Sequence, residues 1–331
     1  MVMIKITRAF NTMAENHRNK ILSTFDIENK LAEKILITNN SEKDFYQYLK
    51  DNINAILENK IDYLKETIVP DIDRILGVNF FGKRDPNDKR KKVNKAKIEE
   101  VSEIFNYTSF SEFKTTGYNA YDLLQELNIN VCPYCNRQYI NTIKPSSTEG
   151  GTRPTLDHFL VKSDYPYLGL SFWNLVPSCY SCNSQLRGTR DIGLHPYVKG
   201  FEKILHFYTD ITDDITEFIG TSEDCFELTL KKYKDIEPNT DDFEGASKNL
   251  DVFRLNYIYQ NHKDYVREII QKTIVYSEDY SNDLYNNFSD IFENELDARN
   301  MMLSNYTDIE SLEKRPLAKL TKDIAMELKI I

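Results

Sequence analysis

The feature that most constrains this chain is a pair of C-x2-C knuckles, Cys132-Pro133-Tyr134-Cys135 and Cys179-Tyr180-Ser181-Cys182. Each knuckle sets two thiolates on one tetrahedral Zn2+, and two knuckles together fill all four positions, leaving none open for chemistry. Whatever the chain folds into must bring these two distant segments to one point. The cysteines therefore read as a scaffold holding structural Zn2+, and any catalysis is to be sought between them.

The length of 331 residues suits two modest domains, or one domain with helical extensions. Met1 to Lys20 has neither the apolar centre nor the cleavage site of a signal peptide, and no apolar run of about 18 residues occurs. The expectation is a soluble, cytoplasmic protein with no membrane partner. Four of the five cysteines in metal spacing fit a reducing compartment, and Cys225 reads as a plain strand residue. The net charge of −10 argues against a protein that grips nucleic acid over its whole surface. A local contact remains open, in the run Lys83, Arg84, Lys89, Arg90, Lys91, Lys92, Lys95 and Lys97, which reads equally as a solvated linker or as a phosphate-contacting strip.

Helical spacing of apolar residues from about Asn16 to Leu36 predicts one or two amphipathic helices. Ser41-x-x-Asp44 predicts a helix cap, followed by a long stripe through Phe45, Leu49, Ile53, Leu57, Leu64 and Ile68 that ends at Pro70 or continues past it. Short helices are expected over 98–105 and 118–127. The pattern changes to strand length at 203–208 and 226–233, which predicts a small hairpin, and helical spacing returns from Phe253 to Leu328. His195, in the turn Gly193-Leu194-His195-Pro196, reads as structural, and His206 and His262 receive no function.

Between the knuckles, Asp157 and His158 follow Thr155-Leu156 in an extended segment, where adjacent side chains point to opposite faces. Asp157 suits a hard divalent cation, and a neutral His158 suits removal of a proton from water. Asn183, directly after the last cysteine, offers a second oxygen donor at the start of a helix anchored by the knuckle. Asn174 is expected on the partner strand of a hairpin, its amide fixing the ring orientation or tautomer of His158. Arg187, four residues past Asn183, is expected to contact a phosphate.

The order C-x2-C, Leu-Asp-His-Phe, Asn-Leu-Val-Pro, then C-x2-C-Asn and a basic residue resembles the HNH endonuclease superfamily. The resemblance covers roughly a fifth of the chain. It implies a ββα-metal core around one divalent ion, clamped by the zinc knuckles. Asp157 and Asn183 would then be the ligands of a catalytic Mg2+ or Mn2+, His158 the general base and Asn174 the middle residue of the motif, with DNA as substrate. The third motif position is often His in the family and is Asn here, which favours Mg2+ or Mn2+ over Zn2+. Cys-Pro-Tyr-Cys-Asn-Arg-Gln-Tyr, Leu-Asp-His-Phe and Ser-Cys-Asn-Ser are also similar to bacterial anti-phage HNH nucleases of the Septu-type and retron-associated kinds, which work beside an ATPase. The resemblance thus implies an ATPase or other defence-system protein as partner.

Together these readings predict an α+β, mostly helical protein: a helical region over 1–105 with a basic linker at 83–97, an HNH nuclease core over 106–200, and a hairpin plus helices over 201–331. A zinc deaminase fails on sequence, since Phe159-Leu160 follows His158 where that chemistry needs a Glu two residues on, and Ser178 separates Pro177 from Cys179. A non-catalytic zinc ribbon binding nucleic acid or a protein explains the cysteines as well, but leaves Asp157, His158, Asn174 and Asn183 as coincidence.

Overall fold

The computed structural model of the chain describes residues 3–77, 80–81, 91–114, 116–211, 223, 225–234, 237, 240–276 and 278–330. The fold is mostly helical, with two small two-stranded sheets among the described residues. It divides into two compact units, one of 1–7, 129–141 and 178–331, the other of 8–128 and 142–177. The stretch 106–200, expected as a single core, is therefore shared: both knuckles fall in the first unit, and Asp157, His158 and Asn174 fall in the second.

In the second unit, helices Phe10–Thr24, Ile27–Ile37, Asn40–Asp51 and Ile53–Glu58 bury the apolar stripe read from sequence, including Ile21, Leu31, Phe45, Leu49, Ile56 and Leu57. The predicted long helix is broken. Asn52 interrupts it, its side-chain amide donating back to the Tyr48 carbonyl at 2.9 Å, and the extended backbone of Asn59 ends the next segment. Pro70 does not end the helical path: a π-helical turn, Leu64–Ile68, leads directly into the helix Val69–Leu76 that contains it. The cap expected at Ser41 is also displaced, since the helix begins at Asn40 behind an extended Asn39.

These helices enclose a hairpin formed by β1 (Thr155–His158) and β2 (Leu175–Ser178). The connection carries two short 3-10 turns, Pro166–Leu168 and Phe172–Asn174. Aromatic packing fixes that connection. Phe10 meets Trp173 edge-on at 5.6 Å and Phe172 at 6.2 Å, while Phe45 and Phe81 flank Tyr167 at 6.5 and 5.9 Å. The helix Ala120–Leu127 matches expectation, and its start is held by a reciprocal capping box between Asn119 and Asp122.

In the first unit, β3 (Leu205–Ile211) and β4 (Phe226–Lys232) form the predicted antiparallel pair, in register from Leu205 opposite Lys232 to Ile211 opposite Phe226. Cys225 is buried one residue ahead of β4. Helical spacing beyond Phe253 yields Leu255–Tyr259, Lys263–Val275, Glu278–Asn287, Glu295–Leu303 and Ala318–Glu327. One further helix, Asp241–Val252, with Ala246 and Asn249 buried, lies outside the apolar spacing read from sequence. Its signal is the cap: the Thr240 hydroxyl accepts from the Phe243 N–H at 3.3 Å, with Asp241, Asp242 and Glu244 in the first turn.

Candidate functional site

Cys132, Cys135, Cys179 and Cys182 are all buried, and their sulfurs lie within 4.8 Å of one another. Four sulfurs at about 2.3 Å from one tetrahedral Zn2+ stand roughly 3.8 Å apart, and Cys135 Sγ and Cys179 Sγ are separated by 3.8 Å. Cys179 and Cys182 Sγ are closer, at 3.1 Å. The thiols cannot all be charged without a cation: burial pushes Cys132 and Cys182 up, while the hydrogen bonds from neighbouring thiols, Cys132 first, pull Cys135 down. The donor set fits Zn2+. Among the described residues this is the only cluster of three or more His, Cys, Asp or Glu able to hold a metal.

Backbone geometry explains how the knuckles are shaped. Val131 and Tyr139 form an antiparallel bridge, Cys132 N–H donates to Gln138 O at 3.0 Å, and Asn136 N–H closes the first knuckle onto Cys132 O at 2.7 Å. Asn136 takes a left-handed backbone at φ 43°, which Asn tolerates. Its buried side chain also holds the chain end, donating to Leu312 O at 2.8 Å and accepting from Lys319 N–H at 3.0 Å. The second knuckle runs into a π-helical turn, Ser181–Arg187, with Cys182 N–H and Asn183 N–H both donating to Cys179 O at 3.1 Å and Cys179 N–H donating to Cys132 Sγ at 3.3 Å.

In the hairpin unit, β1 places Asp157 almost wholly inside, at 2% exposure, and leaves His158 partly exposed. His158 Nε2 lies 3.0 Å from Gly169 O. A carbonyl only accepts, so Nε2 carries the proton and the lone pair of the neutral ring is on Nδ1. Tyr107 packs edge-on to the imidazole, ring centroids 4.4 Å apart, and its hydroxyl donates to Leu156 O at 3.4 Å. Burial first, with the Asp157 charge adding to it, pushes the Tyr107 hydroxyl up to about 12.

Asn174 occupies a different role from the one expected. Its side chain makes no bond to the His158 ring. Fully buried, it accepts from Leu160 N–H at 2.6 Å and donates to the carbonyls of Leu160 and Leu168, each at 3.1 Å, while its own carbonyl receives Phe159 N–H at 2.9 Å. The carbonyl that orients His158 belongs to Gly169, and Asn174 fixes the residue before it. The correction follows from position. Asn174 ends a 3-10 turn ahead of β2, inside the connection, where an amide can satisfy backbone groups of the loop.

Asn183 is partly exposed and lies in the cysteine-bearing unit. Arg187 departs from the expected phosphate contact: it is 1% exposed, and its Nε donates to Arg190 O at 3.1 Å while Arg190 Nε donates to Arg187 O at 3.2 Å. The guanidinium closes this loop inside the protein. Lys89 and Arg90 lie outside the described residues, and Lys91 and Lys92 open the helix Lys91–Ile104. Further along, Lys97 is tied to Glu42 at 3.1 Å and Glu100 at 2.6 Å, so this end of the basic run is neutralised by carboxylates.

His17 escaped the sequence reading altogether. It is fully buried in the helix Phe10–Thr24, with Nε2 2.8 Å from Leu170 O and Nδ1 3.1 Å from the Tyr118 hydroxyl. Two histidines thus hold the consecutive carbonyls of Gly169 and Leu170. The only sequence signal is that His17 lies on the apolar face with Phe10, Ala14 and Ile21. His195 is buried, its Nδ1 accepting from Tyr197 N–H at 3.1 Å, in keeping with a structural role.

Among the described residues no helix is long and apolar enough to cross a membrane. No protein-family model matches the sequence, and no significant similarity to a curated protein or a solved structure is found.

Proposed function

We propose that the chain is a metal-dependent endonuclease of the HNH kind, hydrolysing phosphodiester bonds in DNA. The observation that carries this reading is the bond from His158 Nε2 to Gly169 O beside a buried Asp157. It leaves the basic lone pair on Nδ1, on a ring that is partly exposed, which is what removal of a proton from water requires. Water gives its proton to His158 as its oxygen attacks phosphorus; the bond from phosphorus to the leaving oxygen breaks, and that oxygen takes up a proton. Asp157 supplies an oxygen donor for a divalent cation. Mg2+ or Mn2+, when bound, supplies charge stabilisation at the scissile phosphate and leaving oxygen.

The structural role of the four cysteines with Zn2+ is to hold the knuckles, since the cluster leaves no open coordination position. DNA in preference to RNA, and an ATPase or other anti-phage defence protein as partner, rest on the resemblance in the sequence. The same cysteine cluster would serve a non-catalytic zinc ribbon that binds nucleic acid or protein. A cleavage assay on plasmid, single-stranded DNA and RNA, with Mg2+ or Mn2+ and beside His158→Ala, decides between the two. Cleavage dependent on both the metal and His158 supports the nuclease; binding without cleavage supports the ribbon.

A further inference from the structure

We propose that Lys162 is a substrate-binding residue of the His158 site, contacting a phosphate oxygen of the nucleic-acid backbone. This rests on the nuclease reading. Lys162 sits in the connection that begins after β1, and its ammonium lies over the Tyr107 ring, 4.9 Å from the centroid. The His158 imidazole also packs against that ring, at 4.4 Å. One tyrosine thus carries the proposed general base and a cation side by side. The lysine stem is also built into the site, with its Cδ 3.7 Å from where a Cβ on Gly169 would stand, and Gly169 supplies the carbonyl that orients His158.

Lys162 differs from the ion-paired lysines of this unit in lacking an anion. Elsewhere in this unit Lys97 pairs with Glu42 and Glu100, and Lys34 with Glu100. Lys162 has no carboxylate in ion-pair range among the described residues, and burial, with no opposing charge, lowers its pKa. A partly desolvated ammonium of this kind carries a standing cost that an incoming anion relieves. It does so more strongly than it would for a fully hydrated surface lysine. A phosphodiester placed for attack by water at His158 presents non-bridging oxygens, and an ammonium acts on these as a point charge with rotatable donors. The Tyr107 face holds the ammonium without neutralising it.

The test compares wild type, Lys162→Met and Lys162→Arg. Binding of a labelled DNA duplex is followed by fluorescence anisotropy against salt, without added Mg2+ or Mn2+ so that no cleavage occurs. Cleavage with metal and the melting temperature are measured in parallel. Loss of one phosphate contact lowers the slope of log K against log salt by about 0.9. Lys162→Met is expected to show that change, with cleavage reduced by about tenfold or more, an unchanged melting temperature, and recovery in Lys162→Arg. A Lys162→Met protein that binds and cleaves as wild type does overturns the assignment and leaves the nuclease reading intact. A lowered melting temperature that Arg does not restore also overturns it, since the lysine is then structural. A wild type that binds DNA but never cleaves removes the nuclease reading while the salt slope still reports on Lys162. A wild type that does neither removes both.

Discussion

His158 and Gly169 are joined by a bond from ring nitrogen to backbone carbonyl at 3.0 Å, and this bond decides which ring nitrogen is basic. The next carbonyl, of Leu170, is taken by the buried His17 at 2.8 Å. The loop between β1 and β2 is therefore held from two sides, and the orientation of His158 depends on that loop staying in place.

His158→Ala should abolish cleavage, by about a hundredfold to ten-thousandfold, while the protein keeps its fold and zinc. The ring is partly exposed, and its removal leaves the Gly169 carbonyl to be rehydrated. His158→Gln is the sharper variant, because its amide still donates to Gly169 but cannot take a proton at neutral pH. Full cleavage by either variant would remove His158 as the base.

Asn174→Ala should fail in a different way. It strands the N–H of Leu160 and the carbonyls of Leu160 and Leu168 in a buried loop, and each such group costs about 1–3 kcal/mol. Melting temperature and cleavage should fall together, in contrast to His158→Ala. If melting is unchanged and cleavage alone is lost, Asn174 acts on the reaction directly and not through the loop.

The division of labour at this site was only partly legible in the sequence. C-x2-C spacing carries its chemistry in the residue types, so the cysteine cluster could be read without a fold, and the strand placement of Asp157 and His158 followed from period two. The partner of His158 could not be read, because it is the backbone of Gly169, and backbone groups have no sequence signature. Arg187 looked like a phosphate ligand for the same reason. Its side chain is buried, and its Nε donates to the Arg190 carbonyl. His17 was invisible because its partners, Tyr118 and Leu170, are brought to it by tertiary packing alone.

Cys179→Ser should lose zinc and melting stability together, since in such sites metal binding and folding are one equilibrium. Wild type is expected to hold one Zn2+ on the four cysteines, measured by elemental analysis after desalting. A strong chelator should lower its melting temperature and leave that of Cys179→Ser nearly unmoved. A variant with full zinc and unchanged melting counts against the four-cysteine assignment.

Stability should also fall with acid through His17. Burial is the main cause that lowers its pKa from 6.5 to about 4. The folded form then binds fewer protons than the unfolded chain between these values. The stabilisation is complete above about pH 6.5, declines as pH falls towards about 4, and amounts to about 3 kcal/mol over that window. Melting curves from neutral to acid pH should show the decline. His17→Gln, which keeps a donor and an acceptor but does not titrate, should show a shallower one; an identical pH dependence would exclude His17 as its source.

The helix Ala318–Glu327 and strand β3 make a last prediction from matched spacing. Every fourth helical residue advances about 6 Å, and every second strand residue about 6.7 Å, so Lys319, Asp323 and Glu327 step along the strand edge with Leu205, Phe207 and Thr209. Lys319 Nζ donates to Leu205 O at 3.1 Å, Asp323 accepts from Phe207 N–H at 2.9 Å, and Glu327 accepts from Thr209 N–H at 3.1 Å. Lys319 and Asp323 also pair with each other, wholly buried. Lys319→Met leaves the Asp323 carboxylate buried without its cation, and should cost about 3–5 kcal/mol. Adding Asp323→Asn removes that charge while keeping an acceptor for Phe207, so the double variant should be more stable than Lys319→Met alone in denaturant unfolding. Equal or lower stability of the double variant would show that the lost bond to Leu205, and not the unpaired charge, sets the cost.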